Sequence, residues 1–285
     1  MKDVILRCPG KNEIRELQAL WSAIFGSVGM DAFFNILFDR ELCVAAFNNK
    51  ELCAMGYIVP TEGLVCREKI HGCAMIYSVA TAPDHRGKGY AKAVVKQLAV
   101  KAHTLGYPIA TLSPSDETLF EFYEKNCGFT DHFYTEEKLY TKTQLRSLPN
   151  ANTSPQKVSA ETYAQMREDL LGQHTYIRQG SSILEYQRMI CDEVGGGLYR
   201  IGDSCAVIEV SDDSAIFVKE LLSRSDNHDE IIAAIAEVYP SHKYIVRTPA
   251  TSKNSKRFGM VKIEKRNSED IMPAEPLSYY GLALD

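Results

Sequence analysis

One stretch limits what this chain can fold into more than any other: Val79-Ala80-Thr81-Ala82-Pro83-Asp84-His85-Arg86-Gly87-Lys88-Gly89-Tyr90-Ala91. A β-prone run enters a loop holding two glycines, and the loop opens a helix. Ala91, Val94, Val95, Leu98, Ala99, Ala102 and Leu105 mark that helix as an apolar stripe at helical spacing. Lys92, Lys96 and Lys101 fall off the stripe. Gly106 stands where a helix stop favours a left-handed residue. A short apolar run, Ile109 to Leu112, reads as the next strand. Strand, helix and strand in this order belong to an α/β sheet.

The loop has its own chemistry. The first turn of a helix carries backbone N–H groups with no internal partner, and the helix dipole adds positive potential there. Gly87 and Gly89 let the main chain come close to a ligand, and Arg86 and Lys88 add charge. The segment reads as a diphosphate cradle. It is not a P-loop, because Gly89 stands where Ser or Thr must follow the lysine. It is not a dinucleotide fingerprint, because Lys92 occupies the third small position.

Around this segment the first half alternates helices and strands. Helices are expected at 12–25 and 31–39, and strands at 43–47, 52–59 and 73–81. Ser115 is expected to cap a helix carrying Asp116 and Glu117 in its first turn and ending at Gly128. The polar, proline-flanked run near Leu148–Pro155 reads as a linker. The domains are then 1–148, a linker over 149–156, and 157–285. In the second part, helices are expected at 160–171, 183–191 and 229–239. Strands are expected at 198–201, 206–210, 215–220, 244–247 and 260–263. Both halves place strands before an amphipathic helix, a short strand and a Gly/Phe pair, Gly128-Phe129 and Phe258-Gly259. On residues alone, related halves and a coincidence of common elements explain this equally well.

Composition narrows the partners. The chain has 285 residues and a net charge of −5, so a general nucleic-acid footprint is not expected. No apolar run approaches the roughly 20 residues of a membrane span, and from the polar start no secretion signal is expected. A cytoplasmic protein is expected. The eight cysteines follow no zinc spacing and read as reduced, buried thiols. His71, His85, His103 and His132 show no metal-ligand spacing, so no metal is expected; His85 reads as a surface residue.

Arg86-x-x-Gly89-x-Ala91 resembles the R/Q-x-x-G-x-G/A element of the GNAT N-acetyltransferases, and Phe122-Tyr123-Glu124-Lys125-Asn126-Cys127-Gly128-Phe129 is similar to a later element of that family. The resemblance implies acetyl-CoA as cosubstrate. Its pantetheine arm would pair with Val79, Ala80 and Thr81, and its diphosphate would meet the amides of Gly87, Lys88, Gly89, Tyr90, Ala91 and Lys92, with Arg86 adding charge. The 109–112 strand, ending at Ser113, would form the other lip. Tyr123 matches the tyrosine that many members use as general acid on the thiolate leaving group.

Chain length and the second half look like the Eis-type group. This implies tandem GNAT-like domains with a mixed sheet, the second degenerate and lacking the CoA pyrophosphate motif. The sterol-carrier-type domain usual in that group is not expected within these 285 residues. The resemblance also implies a basic role for a carboxylate at Asp285. Trp21, Phe33 and Phe34 either line an acceptor pocket or form core. Eis-type relatives assemble, which leaves homo-oligomerisation open. The activity implied is transfer of acetyl to a primary amine of a small molecule or peptide. The alternative is a non-catalytic acyl-CoA-binding sensor or partner-recruiting module on the same fold.

Overall fold

The structure is a computed structural model that describes residues 4–145, 153–172, 174–211, 215–225, 228–251, 255–264 and 277–284. In chain order the elements are β1 (Val4–Arg7), α1 (Ile14–Phe25), α2 (Met30–Ile36), β2 (Cys43–Asn48), β3 (Glu51–Pro60), β4 (Gly63–Cys66), β5 (Lys69–His71), β6 (Cys73–Thr81), α3 (Tyr90–Thr104), β7 (Ile109–Leu112) and α4 (Glu117–Phe122). Then come β8 (Thr130–Thr141), α5 (Lys142–Leu145), β9 (Gln156–Lys157), α6 (Ala160–Leu171), β10 (Tyr176–Arg178), α7 (Ser181–Glu193) and β11 (Gly197–Ile201). The chain continues with β12 (Ser204–Val210), β13 (Ala215–Leu222), α8 (Asp229–Val238), β14 (Lys243–Pro249) and β15 (Lys256–Ile263).

The chain folds as two compact units that interleave along the sequence. Unit 1 is Met1–His132 with Phe258–Ala274 and Ala283–Asp285; unit 2 is Phe133–Arg257 with Glu275–Leu282. In unit 1 the strand order is β1-β2-β3-β6-β7-β15, and in unit 2 it is β9-β11-β12-β13-β14-β8. Within each order one neighbouring pair is parallel, β6 with β7 and β13 with β14. Each of those pairs is joined through a helix, α3 or α8, as a parallel pair requires. The two units therefore repeat one topology, a mixed α/β sheet. Phe258-Gly259 is no counterpart of Gly128-Phe129, however. It lies inside β15, which pairs with β7 in unit 1.

In unit 1, α3 turns Val94, Val95, Leu98, Ala99 and Ala102 onto Val44, Ala46, Ala54, Ile58, Ala74 and Ala110 of the sheet. Burial of each valine, leucine or isoleucine among these contributes about 1.5–3 kcal/mol. Small residues on the strands let the helix sit close. The helix after β7 starts one residue later than expected. Asp116, not Ser115, is its cap, accepting from the amides of Thr118 and Leu119. An ionised carboxylate satisfies two open donors and suits the positive helix end.

In unit 2, Ile232, Ala234 and Ile235 of α8 pack on Ala206, Ile208, Val218 and Val246. The unit also encloses an ion pair. Arg167 of α6 and Glu220 of β13 are 1% and 0% exposed, with Arg167 Nε 3.0 Å from Glu220 Oε2. The other guanidinium nitrogens donate to the carbonyls of Ile177 and Tyr280, and Tyr163 donates its hydroxyl proton to Glu220. The segment ending at Leu282 is thereby tied to α6. Ser278 and Tyr279 form parallel bridges to Phe133 and Tyr176, and Gln179 donates to the Leu282 carbonyl.

Candidate active site

The geometry of unit 1 opens a slot. The β6–β7 ladder holds only three pairs, Cys73 with Ile109, Ala74 with Ala110 and Met75 with Thr111. Beyond Met75, β6 runs on to Thr81 while β7 ends at Leu112. Two parallel strands that stop pairing leave main-chain groups facing a gap, at the carboxyl ends where α/β sheets hold ligands. Val79, Ala80 and Thr81 lie along this stretch of β6, and Ser113 follows the end of β7. Its hydroxyl donates to the Phe258 carbonyl at 2.7 Å.

Along the same stretch β6 carries a bulge against β3. Tyr57 of β3 pairs with Tyr77, and Met55 pairs with Ala80, so Ser78 and Val79 together oppose Gly56. Ser78 has φ +47. A serine in the left-handed region is strained, and such outliers gather at functional sites. Gly56 makes room for the bulge. A Cβ there would stand 2.8 Å from Leu98 Cδ1 and 3.3 Å from both Val79 Cγ2 and Val94 Cγ1. The local signal for the bulge is Gly56 itself, since a glycine inside a strand run commonly marks one.

After β6, a 3-10 turn at Pro83–His85 leads to Arg86 and the glycines. Gly87 and Gly89 have φ +74 and +83, which explains why glycine is needed at both. Open space surrounds each, so main chain can be approached there. Gly89 caps α3 without any side-chain bond, and the first turn holds no acid. Its amides are left for a ligand, and the site suits an anion. Arg86 and Lys88 are exposed beside them. Lys88 Nζ donates to the Asp84 carbonyl at 2.8 Å, and Lys92 Nζ to Asn126 Oδ1 at 3.3 Å. Tyr90 buries its ring in the core, so only its backbone belongs to the cradle. Ala91 is half-buried. His85 is not the surface residue expected; it is 7% exposed.

Tyr123 opens a π-type turn that runs to Cys127 and ends at Gly128, φ +75. It is 8% exposed, with its ring against Phe122 and Phe129 at 5.2 and 6.3 Å. Burial pushes its hydroxyl well above the ordinary tyrosine range, so it keeps its proton at neutral pH.

Trp21, Phe33 and Phe34 do come together. Trp21 stacks on Phe33 at 4.7 Å and meets Phe34 edge-on at 5.9 Å. Tyr57 and Tyr77, the strand pair next to the bulge, close the cluster. Trp21 and Phe33 are core, at 2% and 0% exposed, while Phe34 is half-buried. Asp285 lies outside the described residues.

Unit 2 holds a large cleft of about 1200 Å³, touched by Leu221, Leu222, Val246, Thr248, His228 and Asp229. It sits at the ends of β13 and β14, where the same parallel ladder stops at Val218 and Val246. Size alone would make it the first choice for a nucleotide. The charge argues otherwise, because Asp229 and Glu230 stand in the first turn of α8 and repel an anion there. Among the described residues no group of His, Cys, Asp and Glu could hold a metal, and no helix is long and apolar enough to cross a membrane.

Residues 6–129 match the acetyltransferase (GNAT) domain family. No protein of curated function matches the chain in sequence. Among solved structures, it is similar to a GCN5-related N-acetyltransferase from Anabaena variabilis, with TM-score 0.70 and 15% identity over 91% of this chain and 72% of that one. A second such enzyme, from Kribbella flavida, gives TM-score 0.64 and 16% identity over 92% and 71%. An Eis protein of Mycobacterium abscessus gives 0.63 and 11% over 93% and 74%. At these identities the likeness is one of fold. The ladder that stops, the bulge beside it and the amide loop thus all lie within the stretch that matches the acetyltransferase (GNAT) domain family.

Proposed function

We propose that the chain is an acetyl-CoA-dependent N-acetyltransferase acting on a primary amine. The observation that carries this reading is the pairing of an unladdered β6 edge with a helix start free of side-chain caps and acids. Acetyl-CoA supplies an acetyl group activated as a thioester. The amides of Gly87–Lys92 and the charge of Arg86 hold the diphosphate. The backbone of Val79, Ala80 and Thr81 bonds the pantetheine arm, and an N–H near Val79 polarises the thioester carbonyl. The neutral amine attacks the thioester carbon, the C–S bond breaks, and the proton shed by the nitrogen passes to water, from which Tyr123 is later reprotonated. Tyr123, protonated at neutral pH, donates its proton to the departing sulfur. The aromatic cluster at Phe34 borders the acceptor side.

The acceptor class is tested by free-thiol release from acetyl-CoA against a panel of amines: polyamines, aminoglycosides and lysine peptides. Release that depends on the added amine is the expected result. Tight coenzyme binding with no release from any amine favours the non-catalytic acyl-CoA-binding reading. One observation leans that way, namely the closure of the Tyr123 ring inside the core.

A further inference from the structure

His85 plays no part in the chemistry above, yet it is the one buried residue in a loop whose Pro83, Asp84, Arg86, Gly87 and Lys88 are all exposed. Its burial has defined partners. Nε2 lies 3.1 Å from Oε1 of Glu51, at the start of β3. The ring meets Tyr90, the first residue of α3, edge-on at 5.7 Å. A main-chain bond lies alongside, from Ala82 N–H to the Cys53 carbonyl at 2.9 Å. Inside the turn, His85 N–H donates to Ala82 and Arg86 N–H to Pro83. The turn that delivers the anion-facing amides is therefore fastened to β3 on one side and to α3 on the other. Donation to Glu51 places a proton on Nε2. Nδ1 is shut from water and has no hydrogen-bond partner among the described residues, so the ring is oriented by the bond to Glu51 and the contact with Tyr90.

A loop with two glycines is free to adopt many conformations, and ordering each residue costs about 1–2 kcal/mol. Amides that must converge on one anion bind it more tightly when they are already in place. Within the loop Lys88 Nζ bonds the Asp84 carbonyl, but neither glycine has a side chain and Gly89 lacks a side-chain capping bond. The anchor has to come from the preceding turn, and His85 is where that turn enters the core.

We infer that His85 is a positioning residue for diphosphate recognition. Its bond to Glu51 and its contact with Tyr90 hold the Gly87–Lys92 amides in their binding arrangement before the coenzyme arrives. The inference rests on the acetyl-CoA reading and makes it more specific, because it concerns only the part of the ligand that carries the diphosphate.

The test is calorimetric titration of the full chain with coenzyme A and, separately, with pantetheine, which keeps the arm but lacks the diphosphate. Glu51 is 68% exposed on its side chain, so the bond is partly screened and a moderate effect is expected. His85→Leu keeps bulk and removes the donor. It should weaken coenzyme A binding about five- to tenfold, a size that one partly screened bond can supply, and leave pantetheine binding as in wild type. His85→Gln carries an amide donor at a reach similar to Nε2 and should recover most of the loss. Glu51→Ala, at the exposed end of a strand, should reproduce the loss without threatening the fold. Equal weakening toward both ligands, or an unchanged coenzyme A affinity in both His85→Leu and Glu51→Ala, overturns the inference. A wild-type chain that binds coenzyme A no better than pantetheine overturns the diphosphate cradle itself, which is a separate failure.

Discussion

Gly56→Ala tests whether the bulge in β6 shapes the coenzyme slot. The added methyl would stand 2.8 Å from Leu98 Cδ1 and 3.3 Å from Val79 Cγ2 and Val94 Cγ1. Leu98 is a flexible side chain, but on the core face of α3 it is 0% exposed. The two valines are stiff at χ1 and cannot swing away. Relief must come from a shift of α3 or of the bulge. Overpacking of this kind costs typically 1–3 kcal/mol; about 2 kcal/mol is expected here. That corresponds to a fall in melting temperature of about 4–8 °C for a unit of this size. Because Val79 is part of the bulge, the shift also moves the β6 edge that faces the slot. Coenzyme A affinity should fall by about tenfold, since small misplacements weaken positioned contacts steeply. Thermal unfolding by circular dichroism and calorimetric titration measure the two effects on one preparation. Gly172→Ala is the control. Gly172 is right-handed helical, and its nearest atom is 3.6 Å from the added methyl, so stability should hold or rise slightly. Wild-type stability together with wild-type affinity for Gly56→Ala would refute the reasoning. A loss of stability with unchanged affinity would separate the bulge from the site.

Further outcomes follow from other residues. Arg167→Ala leaves the Glu220 carboxylate buried without its guanidinium, and urea unfolding should show a loss of about 3–5 kcal/mol; the exposed pair of Lys125 and Glu121 gives no measurable change on Lys125→Ala. A loss for Arg167→Ala below about 1 kcal/mol would contradict the buried clamp. Tyr123→Phe should lower turnover by about 10²-fold or more while coenzyme A binding stays within about twofold, as loss of a proton donor requires; equal turnover removes the acid role. Burial disfavours the thiolate and pushes Cys43, Cys73 and Cys191 up to about 12. At pH 8 roughly one in 10⁴ of each is ionised. A disulfide reagent should therefore label the half-exposed Cys8 in the native protein and these three only as pH nears 12 or after unfolding. Rapid native labelling of any of the three would contradict their burial.

Local signals were legible and long-range ones were not. The bounds of β6 and β7 agree with the runs 73–81 and 109–112, because both are short apolar strands bounded by turn residues and joined by an evident helix. The amide loop was readable because its conformation is set by two glycines whose role is local. The strand β8 was not anticipated. Its 12 residues include Glu136, Glu137 and Lys138, which break the apolar alternation a strand reading relies on. Its charges are explained by partners more than 100 positions away: Arg247 and Lys256 reach Glu137. For the same reason, no local pattern says that β15 joins β7 while β8 joins β14. The burial of Arg167 left no trace in a window of neighbours, since its partner lies on β13. His85 was misjudged because the turn around it is polar, and only Glu51 and Tyr90 explain why it faces inward.

The measurement closest to the heart of this account is amide spectroscopy of the loop itself. Proton–nitrogen correlation spectra recorded with coenzyme A should show the Gly87 and Gly89 signals moving in step with saturation, and pantetheine should leave them where they are. Saturation by coenzyme A with both glycine signals still in place would mean that the diphosphate is held elsewhere.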